Sequence, residues 1–464
     1  MKATHLCLLA ATSVLVSGCD SIATKEKSEK ATASAIGQQT DGAPDLWVQA
    51  ANSANIKVAW LDSFKDRTLK KFVEEAQANN KDLQASAAGV EQARALAIQA
   101  GAALKPKVGL SAGSSNSGNL ESSSSNTNSV NLGLQVSWEV DLWGRIRAGK
   151  RAATASYEAV LADYEFAQHS IAAATSKAYF AAIETNRQTE VIEQTLEALQ
   201  ETERIVKAQY ENGLATGQDL ALTRSDLATS RDRLITIQGS QRDASRALEL
   251  LLGRYPSAEL DVKATLPAPP TNPPAGLPSE LLERRPDIVA AERRVAAAFD
   301  SEAQAKAARL PSLSLTGTLG GSSEALSSIL NPQNLAWQAG ASLVTPIIDG
   351  GVRKAQVDIA TAEQKQAVAA YGQVALKAFS EVEQNLDQGV VLRERKAALQ
   401  IALKEAEKAY TIAKVRHEEG ETDLLDRLAV QQRVIAAESN LVTVQRLLLD
   451  QRVNLNLALG GDWK

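Results

Sequence analysis

Residues 130–140 read VNLGLQVSWEV, in which apolar side chains alternate with polar residues or glycine over eleven positions. A period of two is typical of a β-strand with one apolar face. A partner strand is predicted over about 107–115, directly after Pro106. Residues 113–129 are almost wholly Ser, Asn and Gly, and this composition predicts an exposed hairpin loop between the two strands.

The second half of the chain repeats the first. Landmarks recur at offsets of 205 to 207 residues: Pro106 as Pro311, Arg147 as Arg353, and Gly213 as Gly420. A second pair of strand-like segments follows the same pattern, at about 312–320 and 336–344. The chain is therefore a tandem duplication of one α-β-β-α unit, and it supplies four strands.

The strands have the length of tilted outer-membrane strands, and Trp138 and Trp337 stand near opposite ends of theirs, as girdle aromatics do. Four strands cannot close a membrane barrel, because the smallest have about eight. Strands in lipid would therefore require an oligomer, and three chains would give twelve strands. The alternative is a pair of surface hairpins on a soluble helical protein.

Long helices make up most of the rest. Residues 145–212 and 352–419 each form a stretch of 68 residues without proline, which corresponds to about 100 Å of helix. Each stretch turns at a glycine, Gly213 or Gly420, and returns over about 36 residues. Apolar residues spaced by sums of three and four predict coiled-coil packing against neighbouring helices. Shorter helices are expected before the strands, at 81–104 and 286–310.

The first residues resemble a bacterial export signal, with Lys2 followed by a short apolar stretch. The sequence Val-Ser-Gly-Cys at 16–19 resembles a lipobox, which implies removal of residues 1–18 and a covalent lipid on Cys19. A plain signal peptide with an incidental cysteine is the alternative. Residues 19–57 are polar at their start and predict a flexible tether between the lipid and the folded body.

The composition argues against several classes of function. The formal net charge is −5 and no basic stripe is present, so a nucleic-acid partner is not expected. Beyond residue 18 the histidines are His169 and His417, one in each repeat and far from any cysteine pair. Neither a metal cluster nor a nucleophile with a histidine base can be assembled from them. We therefore expect no enzyme activity and no cofactor other than the lipid.

Three motifs carry a resemblance to a known family: WEVDLWGRIR at 138–147, LPSELLERRPDI at 277–288 and PIIDGG at 346–351. They are similar to segments of the TolC-like outer-membrane factor family, in its lipoprotein branch. The resemblance spans nearly all of the mature chain, with a first repeat over 58–260, a Pro-rich linker over 261–285 and a second repeat over 286–464.

The resemblance implies a mainly α-helical fold with a β-barrel part. Three chains would form a twelve-stranded barrel in the bacterial outer membrane, continuous with a helical barrel in the periplasm. The implied function is the exit duct of a tripartite efflux system. Its implied partners are a periplasmic adaptor (a membrane fusion protein), an inner-membrane pump of the RND type and outer-membrane lipid. A type I protein-secretion duct and a non-channel helical adaptor or structural protein are the alternatives.

The resemblance also suggests two kinds of site. The helix turns with Tyr210, Gly213 and Gly420 are expected to dock the adaptor, although ordinary helical hairpins would have the same glycines. Rings of Asp423 and Asp426, or an apolar constriction at Leu424 and Leu425, are expected to gate the pore. The alternative for the acids is a favourable place beside the helix dipole. Ala429 departs from the family, which often has a second acid or Asn there.

Overall fold

A computed structural model gives the fold and describes residues 20–37, 60–119, 122–263, 265–271, 282 and 284–461. The helices before the first strand are α1 Asp20–Gly37, α2 Trp60–Ser63, α3 Arg67–Asn79 and α4 Lys81–Ala102. The first repeat continues with β1 Lys107–Asn119, β2 Ser122–Val140, α5 Arg145–Glu211 and α6 Gly217–Leu251. The second repeat contains α7 Pro286–Ala307, β3 Ser312–Ser323, β4 Leu335–Val344, α8 Val352–Glu418 and α9 Leu424–Ala458.

The two long helices match the predicted stretches closely. Both α5 and α8 have 67 residues, and both return helices, α6 and α9, have 35. The identical lengths follow from the duplication. No helix within the described ranges has both the length and the hydropathy that crossing a membrane requires.

The four strands form one antiparallel sheet in the order β1-β2-β3-β4. The strands extend beyond their predicted ends, because the ladder continues through pairs such as Ser115 with Ser129 and Asn116 with Asn128. The expectation of a loop over 113–129 was therefore wrong for most of that segment. Main-chain hydrogen bonds hold a ladder together without an apolar side-chain pattern, so the Ser/Asn composition concealed the strands.

The chain forms two compact units. The first contains described residues of Met1–Gly42, Ala88–Ala162 and Asp287–Val374, and the second contains those of Ala43–Ala87, Asp163–Pro286 and Ala375–Lys464. Each unit combines segments of both repeats. The compact units are thus different from the units of the duplication.

The first unit contains the sheet and the helix segments next to it. Lys150 of α5 lies against Gly101 of α4, where an added Cβ would be 3.4 Å from Lys150 Cε. Arg151 of α5 forms an ion pair of 2.8 Å with Asp300 of α7. Thr361 of α8 donates to Glu302 of α7 at 3.0 Å. The helix order α4-α5-α7-α8 therefore follows the strand order β1-β2-β3-β4.

The second unit holds the aromatic core. Tyr179 and Phe180 of α5 are fully buried, and they pack on the rings of Phe72 in α3 and of Phe64, which directly follows α2. The hydroxyl of Tyr179 donates to Asp66 at 3.0 Å, and Asp66 also caps α3 by accepting from Thr68 and Leu69. Burial is the main cause that raises the pKa of Tyr179 far above its usual range. Val262, at the start of the Pro-rich segment, packs into this core.

The expectation of a flexible tether was wrong for residues 20–37, which form helix α1. This segment is rich in Ala, Lys and Glu, which are good helix formers. Two ion pairs at the favourable i, i+4 spacing also support the helix: Lys25 with Glu29 at 3.8 Å and Glu26 with Lys30 at 2.6 Å. Cys19, residues 38–59 and half of the 277–288 motif (277–281 and 283) lie outside the described residues.

Candidate functional site

The sheet has one face that is almost entirely apolar. Directly paired residues of neighbouring strands point to the same side, so the register assigns each residue to a face. The apolar face has Leu134 near its centre, paired with Leu110 on one side and Leu319 on the other. Its members are Val108, Leu110, Ala112, Val130, Leu132, Leu134, Val136, Trp138, Val140, Leu313, Leu315, Leu319, Leu335, Trp337, Ala339, Ala341 and Leu343.

Most of the apolar face is exposed in the single chain, with Leu110 at 72% and Trp337 at 78%. From Val130 to Val140 are ten residue steps, or about 34 Å along the strand. At a tilt of about 40°, this length covers about 26 Å along the membrane normal, which is the height of the apolar band of outer-membrane barrels. The dimensions of this face therefore suit a lipid environment.

The opposite face is polar and built mainly from small side chains. Its members include Ser111, Asn131, Gln135, Ser137, Ser314, Thr316, Thr318, Gln338 and Ser342, with glycines between them. Charged residues on this face stand toward the end of the sheet near the helices, such as Lys107 and Glu139. A wall of hydroxyl and amide groups can border water without a strong charge preference.

The tryptophans are arranged differently from the expected pair of girdles. Trp138 is near the end of β2 and Trp337 is near the start of β4, as predicted. However, Trp337 pairs with Leu319 in the row of Leu134, only four residues from the row of Trp138. The reason is that β4 has 10 residues and β2 has 19, so the start of β4 lies midway along the sheet.

The motifs at 138–147 and 346–351 build the joints between strands and helices. Asp141 caps α5 by accepting from the backbone N–H groups of Ile146 at 3.0 Å and Arg147 at 2.9 Å. Its side chain also accepts from Nε of Arg147 at 3.1 Å. A carboxylate at this position satisfies amide groups that the first helical turn leaves without partners.

The second joint repeats this arrangement. Asp349 accepts from the N–H groups of Gly351 at 3.0 Å and Arg353 at 3.1 Å. Gly350 and Gly351 have positive φ angles of 65° and 89°, a conformation that glycine adopts at little cost. The joints thus fix how each strand continues into its long helix. This structural role explains two of the three motifs that carried the family resemblance.

The turns between the long and the return helices are two matched hairpin tips. Gly213 and Gly420 have φ angles of +73° and +77°, and an added Cβ would meet nothing within 4 Å at either residue. Leu214 N donates to Gln209 O and Glu421 N donates to Arg416 O, both at 2.8 Å. These contacts are the Schellman motif that ends a helix.

The first tip is exposed, and it begins α6 with a capping box. Tyr210 and Leu214 are both largely exposed. Thr216 Oγ1 accepts from the backbone of Asp219, and the Asp219 carboxylate accepts from the backbone and hydroxyl of Thr216. These hydrogen bonds are the main cause that lowers the pKa of Asp219, with a smaller contribution from His417 of the other hairpin.

The predicted gate residues have different surroundings. Asp423 caps α9 by accepting from the backbone N–H of Asp426 at 2.9 Å, and both acids are exposed. Leu424, in contrast, is buried among Leu199, Leu428 and other apolar residues of the hairpins. Leu424 therefore packs helices together and does not suit the expected apolar constriction. Leu425 is the exposed leucine of this turn, at 42%.

A polar seam between α5 and α9 was missed by the sequence reasoning. Arg187 contacts Glu438 at 2.8 Å, and Gln188 donates to the backbone of Ser439 at 2.9 Å. Further along, the Glu184 carboxylate accepts from Thr443 at 2.7 Å. Pairs of polar residues four apart, such as Glu184 with Gln188, are the sequence signal that could have predicted this seam.

One carboxylate in this region has an unusual proton affinity. Burial raises the pKa of Asp450 to about 6, although the nearby Arg446 and Lys177 act in the opposite direction. Arg446 contacts both Asp450 and Glu184. Asp450 therefore changes charge close to neutral pH, in contrast to a typical surface carboxylate.

The family comparison agrees with the repeat and the joints. The model of the outer membrane efflux protein family matches residues 72–254 and 277–461. This chain belongs to the outer membrane efflux protein family. The two matched segments correspond to the two repeats, so the family itself is defined by this duplicated unit.

Full-length relatives support the assignment. The chain is similar to the cation efflux system protein CusC of Escherichia coli O6:H1, with 30% identity over 87% of this chain and 88% of the relative. It is also similar to the pyoverdine export outer membrane protein OpmQ of Pseudomonas aeruginosa, with 30% identity over 91% and 92%. Among solved structures, the CmeC outer membrane channel of Campylobacter jejuni superposes with a TM-score of 0.85, 26% identity, and coverage of 88% and 89%.

These likenesses confirm the predicted family, fold class, function and location. The protein is an outer membrane efflux channel of the bacterial cell envelope, mainly α-helical with a β-barrel part. The family is one of transport ducts. Within the described residues, no group of three or more His, Cys, Asp or Glu side chains could hold a metal ion. The lipidation, docking and gate residues remain predictions.

Proposed function

We propose that this efflux protein is a homotrimeric exit duct of a tripartite efflux system and performs no catalysis of its own. The observation that carries the proposal is the two-faced sheet, which has an exposed apolar side and a polar side. The edge strands β1 and β4 each pair with one strand in this sheet. Three copies joined edge to edge give twelve strands without a free edge, with lipid outside and water inside.

The wall of this duct favours passive conduction of small molecules. Its polar face carries hydroxyl, amide and glycine groups along most of its height and therefore binds no ion strongly. The relatives named for cation efflux and pyoverdine export suggest that cargo of very different chemistry can leave through one wall type. Cargo selection then belongs to the inner-membrane pump, which we propose to be of the RND type.

The hairpin tips are the proposed contact with the periplasmic adaptor. Tyr210 and Leu214 expose apolar surface beside Gly213, and the space around Gly213 and Gly420 is open. A close-fitting partner can approach the backbone at such a glycine. Asp423 and Asp426 are the proposed gate acids, since both are exposed at the start of α9. Three copies of each would concentrate negative charge around the axis.

Cys19 is the proposed anchor, attached to lipid after removal of residues 1–18. The Val-Ser-Gly-Cys sequence supports this, and helix α1 begins at the next residue. Mass spectrometry of the mature protein should find a diacylglycerol-modified first residue. A Cys19→Ala variant should lack the mass of the lipid. It should still be extracted by detergent, because detergent binds around the barrel.

The channel itself is tested with the purified full-length protein in a planar lipid bilayer. We expect stepwise conductance that favours small cations at low salt, because of the proposed gate acids, and loses this preference at high salt. A matched pair of variants tests Asp426. Asp426→Asn should weaken the cation preference at low salt, whereas Asp243→Asn, which removes an exposed acid of α6, should leave it unchanged. A protein that inserts but gives no conductance in any variant would contradict the duct.

A further inference from the structure

The two outer helices of the first unit present apolar side chains that the described residues leave exposed. In α4, Leu96 and Ile98 are exposed at 53% and 65%. In the first turns of α8, Val352 and Ile359 are exposed at 57% and 58%. Because the helix order is α4-α5-α7-α8, these two surfaces lie at opposite edges of the unit.

The strongest exposure lies between β4 and α8. Ile347 and Ile348 are exposed at 89% and 93%, the two highest values among large apolar side chains of the described residues. They lie three and four residues beyond Val344, the last residue of β4, and directly precede Asp349, which caps α8. The dipeptide is therefore beyond the end of the strand and beside charged groups, where burial against protein suits it better than lipid.

Closure of the barrel between copies indicates which segment would cover Ile347 and Ile348. All neighbouring strands are antiparallel, so closure of the barrel places β4 antiparallel to β1 of the next copy. The end of β4 then lies beside the start of β1 of that copy. As a result, the segment leading into α8 lies beside the segment that leaves α4 of the next copy.

The depth of the contact can be worked out from residue counts. Ile348 is four residues beyond Val344, so it lies up to about 13 Å past the end of the strand. On the next copy, α4 ends at Ala102 and β1 starts at Lys107, and a helix rises about 1.5 Å per residue. A length of about 13 Å beyond the ends of the strands therefore reaches the last one or two turns of α4, where Ile98 is exposed.

We propose that Ile347 and Ile348 anchor each chain to α4 of a second copy, with Ile98 at the centre of the contact. The interface is heterologous, since one edge of the chain meets the opposite edge of the next, and it closes as a ring. Anchors of this kind carry a large share of association energy because they become fully desolvated. The inference rests on the proposed homotrimer and assigns its subunit contact outside the barrel.

Cross-linking tests the contact directly. Beyond residue 18 the chain has one cysteine, Cys19, so introduced cysteines can be followed cleanly. Full-length protein with Ile348→Cys and Ile98→Cys together, treated with a short bismaleimide, should give covalent dimers and trimers on a denaturing gel. Each single variant controls for Cys19. The pair Ile348→Cys with Leu326→Cys is the matched control, because Leu326 at 71% is about as exposed as Ile98 at 65% but lies between β3 and β4, at the other end of the sheet.

A second measurement tests the energetic role. The double variant Ile347→Ser/Ile348→Ser should lower the ratio of trimer to monomer in detergent by about tenfold or more. The control Leu326→Ser/Leu330→Ser removes two other strongly exposed leucines, at 71% and 68%, and should leave the ratio unchanged. Circular dichroism of the separated monomer should retain the helical signal, which distinguishes lost association from lost folding.

The outcomes separate this inference from the proposed function. A trimeric wild type without cross-links between residues 348 and 98, or with an unchanged ratio in the serine variant, would overturn the anchor while the duct stands. A wild type that is itself monomeric would overturn both.

Discussion

Replacing Leu134 with arginine tests the orientation of the sheet. Leu134 lies on β2 at the middle of the apolar face, between Leu110 and Leu319. An arginine near the bilayer midplane of a barrel costs about 2–4 kcal/mol, so three chains would lose about 6–12 kcal/mol per trimer. The matched control is Gln135→Arg, which places the same charge one residue away on the polar face.

The assay is folding into lipid vesicles, followed by urea titration and protease protection of the sheet. Leu134→Arg should fold poorly or unfold at much lower urea, whereas Gln135→Arg should fold with nearly the stability of the wild type and change conductance. Equal damage by both variants, or greater damage by Gln135→Arg, would refute the assignment of lipid and water to the two faces.

Three further predictions concern the helical part. Gly420→Ala should destabilise its tip by about 1–2 kcal/mol because alanine resists a φ of +77°, and limited proteolysis should cut that hairpin faster. Gly239→Ala, inside α6 with open space around it, should instead stabilise by about 0.5–1 kcal/mol. The pKa of Asp450 is about 6 in the folded state and 3.8 as a free side chain, so the folded state holds the proton more tightly. The contribution of Asp450 to the free energy of unfolding is therefore fully present below pH 4 and is lost as the pH rises through 6. Asp450→Asn should remove this pH-dependent difference, at most about 3 kcal/mol, from urea unfolding curves measured between pH 4 and 7.5. Tyr179→Phe should cost about 1 kcal/mol in the same assay by removing the hydrogen bond to Asp66, whereas Tyr255→Phe, at an exposed position, should cost almost nothing. A Tyr179→Phe variant as stable as the wild type would show that this bond contributes nothing.

The sequence predicted the elements whose side chains follow a period. Alternation over 130–140 identified β2, and the proline-free stretches identified α5 and α8 to within a residue of their observed ends. The Ser/Asn-rich parts of β1 and β2 could not be predicted this way, because a backbone ladder continues without any apolar pattern. Helix α1 was missed because a polar composition was taken to mean flexibility, whereas Lys and Glu pairs stabilise helices.

The candidate sites also differ in whether a local sequence signal predicts them. The positive φ of Gly213 and Gly420 was predictable because only glycine adopts it cheaply next to a helix end. Which of Leu424 and Leu425 would be buried was not predictable, because the answer depends on which one faces Leu199 of the other hairpin. The seam between α5 and α9 joins residues about 250 positions apart, and one sequence does not indicate which helices will meet.

The most direct test of the duct is the protein mass of the detergent-extracted particle, measured by light scattering with the detergent subtracted. A mass of three chains is predicted, because β1 and β4 are the edge strands of the described sheet and pairing these edges between three copies closes a barrel of twelve strands. A monodisperse particle of one chain would leave a four-stranded sheet with an exposed apolar face, and it would contradict the channel.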